Sequence, residues 1–465
     1  MLQGRQQKKN KEGLQIIVVG CGKVGSTLVE KLVAEGHDIT VVDEQARIIA
    51  EVTDKYDVMG IEGNGGSLSV LQEAGLAKAD VLISVTGSDE LNLLCCTLAR
   101  KVGNRLAAIA RVRNPDYSEE LAYLRRQLGL ALIINPEMEA AKQIAHLVSR
   151  PQALTVTTFA KGHAELVHFK IPKGNVLNGK RIMDLENLFG FGYLVCAVER
   201  GGEVTIPRGM FELREGDDIS VLAKARDVHR VFESIGMKGS IARNCMIVGG
   251  GRASYYLARL LLDQRMEVKI IEKNRERCET LTKLLPRALI INGDGSNEQL
   301  LVEEGIEQED AFAALTGIDE ENILMSLYAK RIDGIKTITK INRITFNDVI
   351  ETLELGSVVY PKYIIAEMIL AYVRARANSV GSNVETLYHM FDNRVEAIEF
   401  HIEKGARVVG GPLMQLKLKE DLLIACVNRN GKVFFPRGQD TLEPEDSVII
   451  VTSQSGFNDV NDILR

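Results

Sequence analysis

QIIVV, at Gln15–Val19, runs directly into Gly20-Cys21-Gly22-Lys23-Val24-Gly25, and an amphipathic stretch follows to about Ala34. Five apolar, mostly β-branched residues suit a short buried strand, and the apolar spacing after Gly25 is helical. The reading is strand, glycine turn, helix. A second apolar run, Asp38–Val42 (DITVV), ends at Asp43, 23 residues after Gly20. An acid at that distance from a G-x-G-x-x-G turn fits a dinucleotide-binding βαβ unit. Gly20 permits the tight turn, Gly22 lets backbone approach a pyrophosphate, and Gly25 lets helix pack closely on strand. The free N–H groups at the helix start complement phosphate charge. Asp43 can accept the ribose hydroxyls of an adenosine while repelling a 2′-phosphate, and Glu44 adds to that repulsion. NAD(H), ATP or ADP is therefore expected in preference to NADP(H).

The alternation of strand and helix continues through Val58–Ile61, Asp80–Val85 (DVLISV) and Leu106–Val112 (LAAIARV). These are expected to be successive parallel strands of a doubly wound sheet, in which ligands lie outside the carboxyl ends of the strands. Asn64, Thr86, Gly87 and Arg111 should then face the same crevice as the glycine turn. Arg111 is the expected phosphate partner, the plainer reading being an ion pair with Asp116 or Glu120.

The whole plan occurs twice. Gly20 recurs as Gly249 and Asp43 as Glu272, each 229 residues on, and Thr86-Gly87 recurs as Thr316-Gly317. A period this long marks two large modules of one fold, where a period of 20 to 50 residues would mark a solenoid or propeller. In the second copy Cys245–Val248 leads into Gly249-Gly250-Gly251-Arg252-Ala253-Ser254, and Glu272 closes Val268–Ile271. Ser254 replaces the third glycine and Lys340 stands in the place of Arg111. A lysine is a point charge without the guanidinium fork, so phosphate recognition there should be less directional. The plain alternative is a degenerate copy kept for packing.

Each copy continues into short alternating strands with turn residues between them, Ala164–Ile171, Tyr193–Glu199 and Ile219–Ala223 in the first, Glu396–Ile402, Leu422–Val427 and Val448–Val451 in the second. Small α+β modules are expected. Pro207-Arg208-Gly209 and Pro436-Arg437-Gly438 read as tight turns, with small-ligand or cation contact as the sharper alternative. The acidic turns around Asp217 and Asp446 read as solvated turns before a strand, with Ca²⁺ or another cation as the alternative. The fold class is thus α/β, two Rossmann-like domains each followed by a small α+β domain. The expected bounds are a basic tail at 1–13, Rossmann-like domains at 14–150 and 239–375, and small domains at 151–238 and 376–465.

Composition narrows the function classes. The net charge is −6, with both signs interspersed, which argues against a nucleic-acid binder. Arg5, Lys8, Lys9 and Lys11 form a short basic tail, expected to be solvated chain, with a membrane-surface contact as the alternative. No apolar run reaches the roughly 18 residues of a membrane helix, and no signal-peptide core opens the chain, so a cytosolic protein is expected. Seven cysteines without C-x-x-C spacing sit mostly in apolar segments and read as reduced core residues.

The order of these motifs, with Thr-Gly-Ser-Asp-Glu-Leu-Asn at 86–92, Ala110-Arg111, Asn135-Pro136-Glu137 and the Pro-Arg-Gly turns, all in duplicate, resembles the TrkA family, the peripheral NAD-binding subunits of Trk-type potassium uptake systems. Those proteins carry tandem RCK units, and the resemblance covers essentially the whole chain after the tail. It implies a tetrameric cytosolic ring, peripheral on the inner face of the cell membrane, that docks on a potassium-translocating membrane subunit and biases its gate according to bound NAD(H), ATP or ADP. By that match Gly20, Cys21, Gly22, Lys23, Val24, Asp43, Asn64, Thr86, Gly87 and Arg111 would contact nucleotide, as would Gly249, Gly250, Gly251, Arg252, Ala253 and Glu272 in the second half.

The competing class is an NAD-dependent oxidoreductase; an oligomeric scaffold without ligand control is the third. No tyrosine is followed four residues on by lysine, which removes the short-chain dehydrogenase constellation, and none of the seven histidines recurs at the repeat offset. Hydride transfer needs a proton donor within reach of the nicotinamide. No catalytic residue and no metal ligand is assigned.

Overall fold

The computed structural model describes residues 13–102, 106–118, 120–150, 152–237, 242–342, 350, 353, 355–378, 384–391, 394–454, 457 and 459–465. The basic residues of the tail, Arg5, Lys8, Lys9 and Lys11, lie outside them. The chain divides into two compact units, Met1–Pro136 with Lys362–Val373, and Glu137–Pro361 with Arg374–Arg465.

In the first unit β1 (Gln15–Val19), β2 (Asp38–Asp43), β3 (Met59–Glu62), β4 (Val81–Ser84), β5 (Ala107–Arg111) and β6 (Leu132–Ile134) form one sheet in the order β3-β2-β1-β4-β5-β6. All pairings are parallel, with Val19 beside both Val42 and Ser84. Strand order reverses between β1 and β4, so the carboxyl ends of these two strands flank the topological switch point. Both faces are covered, which is why β1 and β4 read as continuous apolar runs rather than alternating ones. The helix Lys23–Ala34 buries Leu28, Val29 and Leu32 completely, and burying each such side chain stabilises the fold by about 1.5–3 kcal/mol. The part of helix Pro361–Asn378 that belongs to this unit places Glu367 in an ion pair with Lys31, whose ammonium lies 5.4 Å from the centre of the Tyr363 ring.

The second unit opens with a small antiparallel sheet of β7 (Thr155–Phe159), β8 (Ala164–Lys170), β9 (Tyr193–Arg200), β10 (Glu203–Thr205) and β11 (Asp218–Lys224), ordered β10-β9-β11-β8-β7. A second six-stranded parallel sheet follows, β12 (Asn244–Val248), β13 (Glu267–Glu272), β14 (Leu289–Asn292), β15 (Ala311–Ala314), β16 (Lys336–Lys340) and β17 (Ser357–Val359), in the order β14-β13-β12-β15-β16-β17. The last sheet comprises β18 (Val384–Met390), β19 (Val395–His401), β20 (Leu422–Arg429), β21 (Lys432–Phe434) and β22 (Ser447–Thr452), ordered β18-β19-β22-β20-β21. Strand for strand, the second half reproduces the topology of the first.

The two small sheets share one hydrophobic core. Phe159, Leu166, Cys196, Ala197 and Leu222 from the first pack with Met390, Ala397, Cys426, Ile449 and Val451 from the second. Arg394 ties the same pair from the rim, donating to Glu199 at 2.6 Å and to the Gly202 carbonyl at 2.5 Å. All seven cysteines are buried and free, as their apolar surroundings implied.

Candidate functional site

The glycine turn of the first half adopts the geometry its residues require. Gly20 lies at φ +91°, a conformation that favours glycine, and a Cβ there would stand 2.9 Å from the Thr86 backbone. Gly25 packs tightly under the turn, a Cβ there falling 1.9 Å from the Gly20 oxygen, whereas a Cβ on Gly22 would meet nothing within 4 Å. The open side of the turn is therefore at Gly22 and Lys23, both exposed, where helix Lys23–Ala34 begins.

Asp43 ends β2 and accepts from two backbone N–H groups, Cys21 at 2.8 Å and Gln45 at 3.0 Å. Each carboxylate oxygen has two lone pairs, so acceptor capacity remains for a ribose hydroxyl. The Cys21 thiol is pushed up to about 12 by burial and by the neighbouring Asp43 charge, so it stays protonated. Val24 follows in the first turn of the helix and is half-buried. Asn64 closes the loop after β3, accepting from Gly66 N at 2.7 Å, and Gly65 beside it lies against Val19.

The far wall of the crevice is locked by a residue that sequence reasoning did not single out. Asn92, wholly buried on helix Asp89–Val102, accepts from Thr86 N at 2.8 Å, Thr86 Oγ1 at 2.8 Å and Ser84 Oγ at 2.9 Å, and donates to the Arg111 carbonyl at 2.9 Å. One amide thereby fixes the ends of β4 and β5 together. The Arg111 guanidinium donates to the Thr86 carbonyl, and Arg113 to that of Gly87. Asp89 caps the segment after β5, accepting from Arg113 N and Asn114 N, both at 2.8 Å. The signal was present in the chain, since Thr-Gly-x-Asp-x-x-Asn at 86–92 recurs at 316–322.

In the second half Gly249 lies at φ +98° against Thr316. Asn322 repeats the lock, accepting from Thr316 N at 2.9 Å and donating to the Lys340 carbonyl at 2.9 Å. Lys340 donates to the Leu315 carbonyl at 2.8 Å, and burial lowers its affinity for a proton against the pull of Asp319 and Glu137. Glu272 takes the same backbone partners as Asp43, Gly250 N and Asn274 N, both at 2.6 Å. Its extra methylene is accommodated because position 250 is glycine, where a Cβ would stand 2.9 Å from the Glu272 side chain. Gly251 is open, with exposed Arg252 beside it, and Ala253 is buried at the helix start. Ser254 is fully buried, and its hydroxyl finds no hydrogen-bond partner among the described residues.

Away from the crevices, the acidic turns are held internally. Asp217 receives a bidentate guanidinium from Arg200, both bonds 2.7 Å, and Asp446 one from Arg429, both 2.8 Å. Among the described residues no group of His, Cys, Asp or Glu is arranged to hold a metal ion. The Pro-Arg-Gly turns dock on short 3-10 segments, through Met183 N to the Gly209 oxygen and Met414 N to the Gly438 oxygen. His37 accepts from Leu14 N, while His168, His389 and His401 sit on the small sheets beside Asp218, Glu396 and Glu445. No helix among the described residues is long and apolar enough to cross a membrane.

Two family profiles match the chain in tandem: the TrkA-N domain over 16–136 and 245–361, and the TrkA-C domain over 166–236 and 397–465. The Archaeoglobus fulgidus Trk system potassium uptake protein TrkA homolog is 30% identical, covering 97% of this chain and 100% of its own. The Vibrio alginolyticus Trk system potassium uptake protein TrkA is 32% identical over 94% of this chain and 95% of its own. Among solved structures, the NAD-bound GsuK channel superposes with a TM-score of 0.62 at 17% identity, over 96% of this chain and 77% of that one. The GsuK RCK domain gives the same score over 95% and 93%. At that identity the likeness concerns the fold. Profiles and full-length relatives agree with the duplicated glycine turns and paired small sheets: the chain belongs to the TrkA family of Trk-system potassium uptake proteins.

Proposed function

We propose that this chain is a nucleotide-responsive regulatory subunit that gates a Trk-type membrane potassium-translocating subunit, working as a homo-oligomer, expected to be a tetramer, on the cytoplasmic side of the membrane. The observation that carries this reading is the crevice of the first half. An open glycine turn, a strand-end carboxylate and a locked arginine-bearing wall converge there, and none of the histidine contacts above brings a proton donor to it. Gly20, Cys21, Gly22, Lys23 and Val24 would receive the pyrophosphate, Asp43 the adenosine ribose, and Asn64, Thr86, Gly87 and Arg111 the opposite side. NAD(H) would act here as a ligand, its redox chemistry unused; ATP or ADP would occupy the same turn. The NAD-bound and ADP-bound GsuK channel structures support nucleotide as the ligand class, and the potassium uptake relatives support the partner.

Arg111 and Asn92 act together in this scheme. A ligand can shift a two-state equilibrium only through different affinities for the states. A guanidinium fixed to the Thr86 carbonyl, on a strand pinned to its neighbour by Asn92, turns phosphate number into a force on that wall. A typical coupling of about 1–3 kcal/mol changes an open-to-closed ratio roughly 5- to 150-fold. The test is potassium flux in liposomes carrying the membrane subunit and this protein, titrated with NADH, NAD, ATP and ADP. Flux is expected to depend on the nucleotide, and Arg111→Gln to bind without changing flux. Identical flux with every nucleotide and with none, while calorimetry confirms binding, would leave only a scaffold.

A further inference from the structure

The two crevices differ at the ribose end, and the difference is one of charge. Position 48 of the first half, one turn into the helix after β2, is Ile48; its equivalent in the second half is Arg277. Arg277 reaches back over the turn and donates through Nε to the Gly250 carbonyl at 2.6 Å, next to the Gly250 N–H that Glu272 holds. Its remaining guanidinium N–H groups find no partner among the described residues, and its hold on its proton is lowered by burial, with Glu272 opposing and the Arg252 charge adding to the effect. Two guanidinium groups and one carboxylate leave a net positive charge that favours an added anion. Glu44, which guards the first crevice, is replaced by Lys273, whose charge is met on the rim by Asp294 at 2.6 Å. The repulsive second carboxylate is thus absent, and a half-buried arginine stands where the first half presents an isoleucine.

From this geometry we infer that the second-half crevice takes a nucleotide bearing a phosphate on the adenosine ribose, of the NADP(H) type, while the first takes the unphosphorylated ribose. The acid at the end of the second strand marks the ribose hydroxyls, and an arginine beside it accommodates a 2′-phosphate. Arg277 occupies that place: its contact with Gly250 puts it at the acid, and its two free amino groups form the planar fork that binds phosphate oxygens in pairs. Glu272 is held by two backbone N–H groups as Asp43 is, so what sets the second crevice apart is the Arg277 charge that offsets this carboxylate. Site division follows, one chain carrying two sites that sense two different nucleotide pools.

The inference rests on the second crevice being a nucleotide site, so the experiment separates the two questions. Calorimetry compares NADP and NAD, which differ only in the 2′-phosphate, on the full chain with Gly22→Ala silencing the first half. NADP is expected to bind more tightly, by roughly ten- to a hundredfold. Arg277→Ile should erase that preference with little change for NAD, and Arg277→Lys should restore part of it. Equal affinity, a preference for NAD, or a preference that survives Arg277→Ile would overturn the inference. Absence of NADP binding to Gly22→Ala while NADH binds the wild type would overturn it too and leave the regulatory reading intact. NADP binding beside flux indifferent to NADH would instead uphold it and sink that reading.

Discussion

Two alanine substitutions three residues apart in the glycine turn should fail in opposite ways. Gly22 sits at φ −64°, which alanine adopts freely, and its added methyl would touch nothing within 4 Å. Gly22→Ala should therefore leave stability unchanged, or raise it by about 0.4–1 kcal/mol through a less flexible unfolded chain. The methyl would nevertheless fill the opening through which a pyrophosphate reaches the backbone. Overpacking of about 1–3 kcal/mol at the ligand corresponds to roughly five- to 150-fold weaker binding. Gly25→Ala reverses the outcome. Its Cβ would fall 1.9 Å from the Gly20 oxygen and 2.9 Å from the Gly20 carbon, both backbone, so helix and turn must part at a cost of about 1–3 kcal/mol to the folded state. Differential scanning fluorimetry and calorimetry with NADH read both variants. A Gly22→Ala protein that binds NADH like the wild type, or a Gly25→Ala protein that melts with it, would refute the assignment of open and packed sides to this turn.

Asn92→Leu keeps the volume and removes the lock. The Thr86 N–H and the Arg111 carbonyl lose their partner, costing about 2–6 kcal/mol for the two backbone groups, and urea unfolding should detect the loss. Asp43→Ala should weaken NADH at the first half roughly ten- to a hundredfold, measured by calorimetry, and wild-type protein should prefer NADH to NADPH there; equal affinities would remove the role given to Asp43. Lys336, buried and donating to the Ala153 carbonyl, has its proton affinity lowered by burial to about 7. Between that pH and about 10, the unfolded chain binds more protons than the folded one, so stability should rise with pH by up to about 1.4 kcal/mol per unit, and level off below 7. Lys336→Met should flatten that rise in urea titrations at pH 7, 8 and 9, and an unchanged slope would show that the amine is charged in the folded protein.

Local grammar made the crevices legible. Strand, glycine turn and acid lie within 30 residues of each other, and their spacing is set by backbone geometry that leaves few alternatives. β1 falls on Gln15–Val19 as read, and the strand ending in Asp43 gains only that residue. What the chain hid is what long-range contact decides. Asn92 reads as one polar residue of a helix until β5 brings the Arg111 carbonyl to it, 19 residues away in sequence. The acidic turns at Asp217 and Asp446 look solvated because each arginine that binds them comes from a strand 17 residues earlier, across a hairpin. Short strands such as β10, β17 and β21, three residues each, carry too little periodicity to be read at all. Ser254 and Lys340 were legible as departures, but the matching exchange of Cys21 with Asp43 for Gly250 with Glu272 became interpretable only once both acids were seen on the same backbone N–H groups.

The common core of the two small sheets has a bearing on how such a protein can change over time. Phe159 and Cys196 meet Met390 and Cys426 as parts of one polypeptide, so the pairing is unimolecular and dilution cannot undo it. Two separate gene products in the same arrangement would exchange partners, and a change in one would be averaged over mixed assemblies. Here every copy of the first crevice is bound to one copy of the second, in fixed proportion and at an effective concentration that no expression level alters. Under that arrangement the two halves are free to differ, as they do at Ile48 and Arg277 and at Gly25 and Ser254, and the difference is inherited as a unit.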